Sequence, residues 1–421
     1  MSALYKLAAI NKGPETSWDD KHTRVLARLN DEEIEILQLP SPTCPTRRIS
    51  EPSRITAPKV PIMSPPWRLG ICAMENKALS KANQEIFRRL QVDGLIDVVL
   101  FGDKVLLNEK PEDWPVCDFL IAFYSDGFPL EKAVAYTRLR DPFAYNDLLM
   151  QGVLFDRRLC NRVLGYMGVR TPKRLEVNRD GGPRARSWEL VQHVYDRIGL
   201  TLPGPTRGGD EKRPRPPTVS LSEDGDTLLV DGRKLHKPFV EKPVNAEDHN
   251  IYIYFPRGGG GRRLFRKVGN KCSEYDPDLC VPRCISEQGT TSSYVYEPLL
   301  NADNGEDVKA YAVGPQYCLA VTRKSPAVTG FVHRDANGKE VRLFTEVSRE
   351  EAEAASKISA GFGQSVCGFD IVRNKGKSYV IDVNGWTSVK NQPGFYGQCA
   401  EILQQMLMSH VLRRSEPGSL A

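Results

Sequence analysis

Asp370, Asp382 and Asn384 lie within one stretch, CGFDIVRNKGKSYVIDVNG (367–385), and their oxygens could hold a divalent cation. Asn374-Lys375-Gly376-Lys377 supplies turn chemistry between two strand-like runs. A hairpin centred on Gly376 sets Asp370 opposite Asp382, and alternation puts Asn384 on the same face. Facing carboxylates destabilise a ladder unless a cation lies between them. Oxygen-only donors suit Mg²⁺, which keeps contacts to substrate phosphates. The ordinary alternative is a hairpin whose aspartates face solvent. The apolar Phe369, Ile371, Val380, Ile381 and Val383 argue against it, because they cover both faces.

Lys242 in KPFVEKPV and Lys309 in EDVKAYAVG sit on strands between apolar neighbours. Each must find an anion or snorkel to the surface, and a nucleotide phosphate is one such anion. Asp307, two residues from Lys309, leaves a simple ion pair open. PRGGGGRRLFRKVGNK (256–271) has six basic residues, four consecutive glycines and no acid, which suits close backbone approach to a polyanion. Its alternative is a flexible basic loop. Arg323, Lys324, Arg334, Arg342 and Lys390 add further positive charge. These segments lack the aromatic interleaving of single-strand stacking platforms and any DNA-binding motif. A compact, multiply phosphorylated metabolite fits better than nucleic acid. In YVYEPLL (294–300) a strand runs into proline, where Glu297 and Leu299 could offer backbone groups to an adenine edge. A plain strand end reads the same way. Gly376-Lys377-Ser378 is no phosphate-binding P-loop, since it falls in the hairpin turn.

The elements that must carry these residues are legible along the 421-residue chain. RLGICAM, DVVLFGD and DFLIAFYS read as strands and KANQEIFRRLQV as a helix, predicting a parallel α/β domain over 66–142. Short strands and a few helices then predict two α+β lobes, over 143–300 and 301–412, with a tail at 413–421. Residues 179–226, rich in Arg, Pro and Gly, read as a surface insertion loop. Residues 1–65 end in a Pro/Ser/Thr-rich stretch that reads as a disordered arm. A composition of 40% hydrophobic and 26% charged residues, at a net charge of +5, is that of an ordinary globular chain. The start does not read as a signal peptide, and with no run of about 18 apolar residues no membrane span is expected. Ten scattered cysteines, most of them in apolar runs, read as reduced thiols of a cytosolic protein.

Together GICAM, CDFLIAFYSDGFPLEKAVAY, LRDPFAYNDL, KPFVEKPVNAEDHNIYIYFP, RLFRKVG, DVKAYAVGP, TRKSPA, CGFDIVR and DVNGWTSVKN resemble the kinase domain of the diphosphoinositol pentakisphosphate kinases, over about residues 68–412. The resemblance implies an ATP-grasp fold, with a Rossmann-like α/β domain and two lobes clamping the nucleotide. It implies transfer of the γ-phosphoryl of ATP to a phosphate of inositol hexakisphosphate or diphosphoinositol pentakisphosphate. By the same resemblance Arg140, Lys242, His249 and Lys309 match ATP-phosphate contacts, Glu297 and Leu299 the adenine segment, and Asp307 the ribose contact. Asp370, Asp382 and Asn384 match magnesium ligands. Lys77, Arg266, Lys267, Lys309, Arg323, Arg342 and Lys390 match the wall that holds the inositol phosphates. Asp382, Lys309 and Arg342 would carry the transfer, and an already ionised acceptor oxygen removes the need for a general base. A carboxylate–amine ligase or a non-catalytic inositol-phosphate sensor are the competing readings. Two departures stand out. Glu75-Asn76-Lys77 replaces a pair of lysines, and the chain ends at Ala421 without the family's phosphatase-like region, so no hydrolysis is expected.

Overall fold

A computed structural model of the chain describes residues 65–206, 215–390 and 392–415. The arm expected over 1–65 falls outside the described residues apart from its last position, as does the tail beyond Ser415.

Four parallel strands open the fold: β1 (Trp67–Cys72), β2 (Ile96–Leu100), β3 (Phe119–Ala122) and β4 (Phe143–Ala144), in the order β2-β1-β3-β4. Every residue of β3 is buried, and so is all of β1 except Arg68. That is why both read as continuous apolar runs, as central parallel strands do. The helix Lys81–Leu90 begins at Ser80, whose hydroxyl accepts from the Asn83 amide, and buries Ala82, Ile86, Phe87 and Leu90.

The chain then lays down β5 (Leu175–Val177), a small antiparallel sheet of β6 (Val219–Leu221), β7 (Thr227–Val230) and β8 (Arg233–His236), and five further strands. These are β9 (Phe239–Pro243), β10 (Ile251–Tyr254), β11 (Gly261–Val268), β12 (Lys271–Asp276) and β13 (Tyr294–Pro298). With β5 they form an antiparallel sheet ordered β12-β11-β10-β9-β13-β5.

The surface loop expected over 179–226 is corrected by this structure. Ser187 caps a helix, Trp188–Ile198, that ends on left-handed Gly199, and Leu190, Val191 and Val194 are buried in a core shared with Leu154, Leu159 and Phe362. Arg, Pro and Gly around this amphipathic turn masked its spacing. Residues 207–214 lie outside the described residues.

A third sheet holds β14 (Glu306–Val313), β15 (Tyr317–Lys324), β16 (Leu343–Thr345), β17 (Val366–Asn374) and β18 (Lys377–Asn384), ordered β16-β15-β14-β17-β18 and antiparallel throughout. Val308, Ala310, Ala312, Phe369, Ile371 and Val383 turn into the core beneath it, against Ala355 and Ile358 of the helix Arg349–Gly361. Alternation therefore sends Asp307, Lys309 and Tyr311 to the opposite face. The last helix, Pro393–Ser415, returns to the first domain. Its Phe395, Cys399, Leu403 and Leu407 share a core with Leu69, Ile86 and Phe119. A parallel α/β domain followed by two α+β lobes is the arrangement expected of an ATP-grasp protein.

Candidate active site

The polar face of the third sheet is a grid set by strand register. One cross-strand row runs Lys309, Asp370, Asp382; the next runs Tyr311, Gly368, Asn384; Asp307 pairs with Arg323 at the open end. Asp382 does face Asp370, but not by the route that centring on Gly376 implies. The turn is Lys375-Gly376, both left-handed at φ 51° and 73°, and the ladder is regular as far as Ile371 opposite Val380. A straight continuation would set Ile381 against Asp370 and turn Asp382 into the core. A bulge between the pairs Ile371–Val380 and Asp370–Asp382 takes up the extra residue and brings Asp382 and Asn384 to the site face.

Lys309 Nζ donates to Asp370 Oδ2 at 2.9 Å, and Asn384 Nδ2 to Asp382 Oδ2 at 3.2 Å. Burial opposes ionisation of Asp370, but Lys309 and Arg323, with Arg342 behind them, outweigh it and hold the carboxyl below its ordinary value. Asp307 is pushed up by burial, against the pull of Ser325 and Arg323. Arg323 is the cation least provided for. Its buried Nε has no hydrogen-bond partner, although Asp370 and Asp307 keep it charged against the cost of burial. Among the described residues no three His, Cys, Asp or Glu side chains are grouped to hold a metal. The donor set here is two carboxylates and an amide oxygen, which leaves positions for phosphate oxygens and water in the shell that Mg²⁺ favours.

The second sheet approaches this face through Lys242. Its Nζ donates to Glu297 Oε2 at 2.7 Å and to Ile381 O, the carbonyl at the bulge, at 3.1 Å. The Glu297 carboxylate is thus committed to Lys242, and the Leu299 amide donates to Pro238 O at 3.0 Å. His249 feels Arg266, Arg157 and Asp382; burial first, then the two arginines, hold its pKa below the ordinary value and keep the ring neutral at pH 7. A cleft of about 510 Å³ opens beside these loops, lined in part by Tyr124, Phe155, Arg186 and Glu247.

Arg140 is not gathered here. It ends the helix Leu130–Arg140, where Asp141 turns left-handed, and donates to Glu112 O within the first domain at 2.6 Å. Arg157 was missed. Its buried guanidinium donates to Pro243 O at 2.8 Å, Asn245 O at 2.6 Å and Ala246 O at 3.2 Å, fixing the segment that leads from Lys242 to His249. In sequence it is one arginine at a helix start, marked by nothing but Asp156 before it.

The basic wall also differs from expectation. Lys267 lies 3.2 Å from Glu340, which also binds Arg342 at 2.9 Å, while Arg342 donates to Tyr311 Oη at 3.1 Å. Arg266 lies 3.6 Å from Glu247. Glu340 stands among these cations as their shared partner. Burial works against its charge, but Arg342 and Lys267 hold its pKa below the usual range, which makes it a counter-ion and a poor base. Lys77, in the short helix Glu75–Ala78 after β1, and Lys390, in the loop after β18, are exposed.

Residues 67–156 match the family model described as the diphosphoinositol pentakisphosphate kinase 2 N-terminal domain. Inositol hexakisphosphate and diphosphoinositol-pentakisphosphate kinase of Saccharomyces cerevisiae is 51% identical over 362 residues, 86% of this chain and 30% of that protein. The corresponding kinase 2 of Homo sapiens is 43% identical over 342 residues, 81% of this chain and 24% of that protein. The chain belongs to the diphosphoinositol pentakisphosphate kinase family. It spans less than a third of the length of these relatives. Among solved structures, D-alanine–D-alanine ligase of Bacillus anthracis with ATP aligns over 83% of this chain and 100% of that one, at 13% identity and a TM-score of 0.44. The family departure at Glu75 has a local structural role. Glu75 Oε1 accepts from the Asp103 amide at 3.1 Å while Asp103 Oδ1 accepts from the Glu75 amide at 2.7 Å, so two helix starts cap each other.

Proposed function

We propose that this chain transfers the γ-phosphoryl group of ATP to a phosphate of inositol hexakisphosphate or diphosphoinositol pentakisphosphate, with Mg²⁺ held by Asp370, Asp382 and Asn384. The observation that carries the reading is the row Lys309, Asp370, Asp382 together with Arg323, whose buried Nε has no hydrogen-bond partner, a paired-carboxylate edge against a cationic wall. Kinship with kinases named for these substrates supports it.

When bound, the metal would neutralise charge on the β- and γ-phosphates. Lys242, already fixed by Glu297 and Ile381 O, would direct its remaining N–H at a phosphate. His249, neutral, would hydrogen-bond the nucleotide, and Asp307 would face the ribose. Lys309, Arg323 and Arg342 would hold the transferred group and acceptor in line, with Arg266, Lys267, Lys77 and Lys390 around the ring phosphates. The acceptor oxygen is ionised already, so it attacks phosphorus as the bond to the ADP oxygen breaks, and no side chain need take a proton.

The test is incubation with ATP, Mg²⁺ and inositol hexakisphosphate, followed by product separation. A more highly phosphorylated inositol and one ADP per transfer are expected. Asp382→Ala should abolish transfer with the fold intact by circular dichroism. Near-normal turnover of that variant would overturn the assignment.

A further inference from the structure

Asn83 is a buried amide near the start of the helix Lys81–Leu90, only 4% exposed. Its Nδ2 donates to the Lys77 carbonyl at 2.9 Å, and its Oδ1 accepts from Trp386 Nε1 at 3.1 Å. Trp386 is the second residue after Asn384, and its ring stacks on Phe123, just past β3, with centroids 5.3 Å apart and planes 14° from parallel. One side chain therefore ties the backbone of Lys77, in the first domain, to the loop leaving the carboxylate hairpin, 303 residues away in sequence.

The surroundings make this tie a fixed one. Asn83 sits among Ala82, Ile86 and Phe87, where an unpaired amide is costly, so both hydrogen bonds are held. The far end of the Lys77 turn is held by the reciprocal caps of Glu75 and Asp103. Lys77 itself remains exposed. Its reach is thus referred to the carboxylate row through two hydrogen bonds and one ring stack.

We propose that Asn83 is a positioning residue: with Trp386 it sets the placement of Lys77 relative to Asp382 and Asn384, and through that the alignment of the phosphorylated acceptor. This rests on the phosphotransfer reading above, in which Lys77 meets the acceptor and the hairpin meets the nucleotide. Asn83 acts through Lys77, and not on ATP.

The experiment uses the full chain with ATP, Mg²⁺ and inositol hexakisphosphate, comparing wild type, Asn83→Leu, Trp386→Phe, the double variant, Lys77→Ala, and Asn83→Leu and Trp386→Phe each in a Lys77→Ala background. Trp386→Phe keeps the ring stack and loses the donor. Each single variant should lower the urea midpoint, because one buried polar group is left unpaired. The double variant should recover part of that loss. Asn83→Leu, alone and in the double, should raise KM for inositol hexakisphosphate by about tenfold while KM for ATP stays within about twofold. Trp386→Phe should raise it less, since the bond to Lys77 survives. In the Lys77→Ala background, Asn83→Leu should add nothing further to KM. A merely structural role would move both KM values together and would track the urea midpoint. An unchanged acceptor KM, or an equal rise with Lys77 removed, overturns the positioning role while active wild type leaves the phosphotransfer reading standing. An inactive wild type brings down both. If Asn83→Leu does not fold, Trp386→Phe still decides, by its acceptor KM with and without Lys77.

Discussion

Lys242 and Glu297 meet diagonally across β9 and β13 with side chains 8% and 5% exposed. Both residues stand out in the sequence, yet their pairing does not. It depends on a register between strands 55 residues apart that local patterns do not fix. A buried lysine needs an anion, and in the protein without nucleotide Glu297 is that anion. Breaking one side of a buried pair leaves the other charged and uncompensated, at a cost of about 3–5 kcal/mol. Glu297→Gln should therefore lower the urea unfolding free energy by about that amount. ATP with Mg²⁺ should recover more of the midpoint in the variant than it adds to wild type, since a phosphate would supply the missing charge. A variant as stable as wild type would mean that Lys242 is satisfied without Glu297. Arg157 and Glu340 were illegible for the same reason. Their partners, the carbonyls at 243–246 and the cations Lys267 and Arg342, come from other elements.

At the scale of one element, the β17–β18 hairpin separates what a turn does from what a bulge does. Counting outward from Gly376 lands on the pair Asp370–Asp382, but only because two half-steps cancel: the turn lies half a residue earlier, and the ladder shifts between Ile371 and Asp370. Nothing in the run Val380-Ile381-Asp382-Val383 announces a bulge, since either strand face would accept these residues. The turn carries stability. Gly376 has φ 73°, and a Cβ there meets no atom within 4 Å, so Gly376→Ala carries the backbone penalty alone, about 1–2 kcal/mol. The bulge carries the register, so this variant should unfold at lower urea yet keep kcat/KM well below its melting temperature. A loss of turnover with the fold intact would show that the turn sets the site after all.

At the scale of the molecule, the change from parallel to antiparallel packing was legible, because strands alternating with helices give way to a run of short strands from about Leu228. How the sheets are held together was not. The second and third sheets meet where Lys242 reaches the bulge carbonyl, and again at a clasp where residues 326–332 lie along β12. There Cys272 N donates to Gly330 O at 2.9 Å, Ser273 Oγ to Pro326 O at 2.6 Å, and Val332 N to Asn270 O at 2.9 Å. Lys267 and Glu340 join the two sides just beyond. Gly330 permits this approach, because a Cβ there would stand 2.5 Å from the Ser273 carbonyl oxygen, which belongs to backbone and cannot swing away. Gly330→Ala should part the clasp. The amides of Cys272, Ser273 and Val332 should then exchange hydrogen faster. The acceptor KM should rise several-fold as Lys267 leaves its place on the wall, with a smaller change for ATP. Gly338→Ala is the control, since Gly338 is left-handed at φ 73° with nothing within 4 Å, so it strains the same loop without prying at β12. If exchange at Cys272 and Ser273 is the same in Gly330→Ala as in Gly338→Ala, the clasp does not hold the two sheets together.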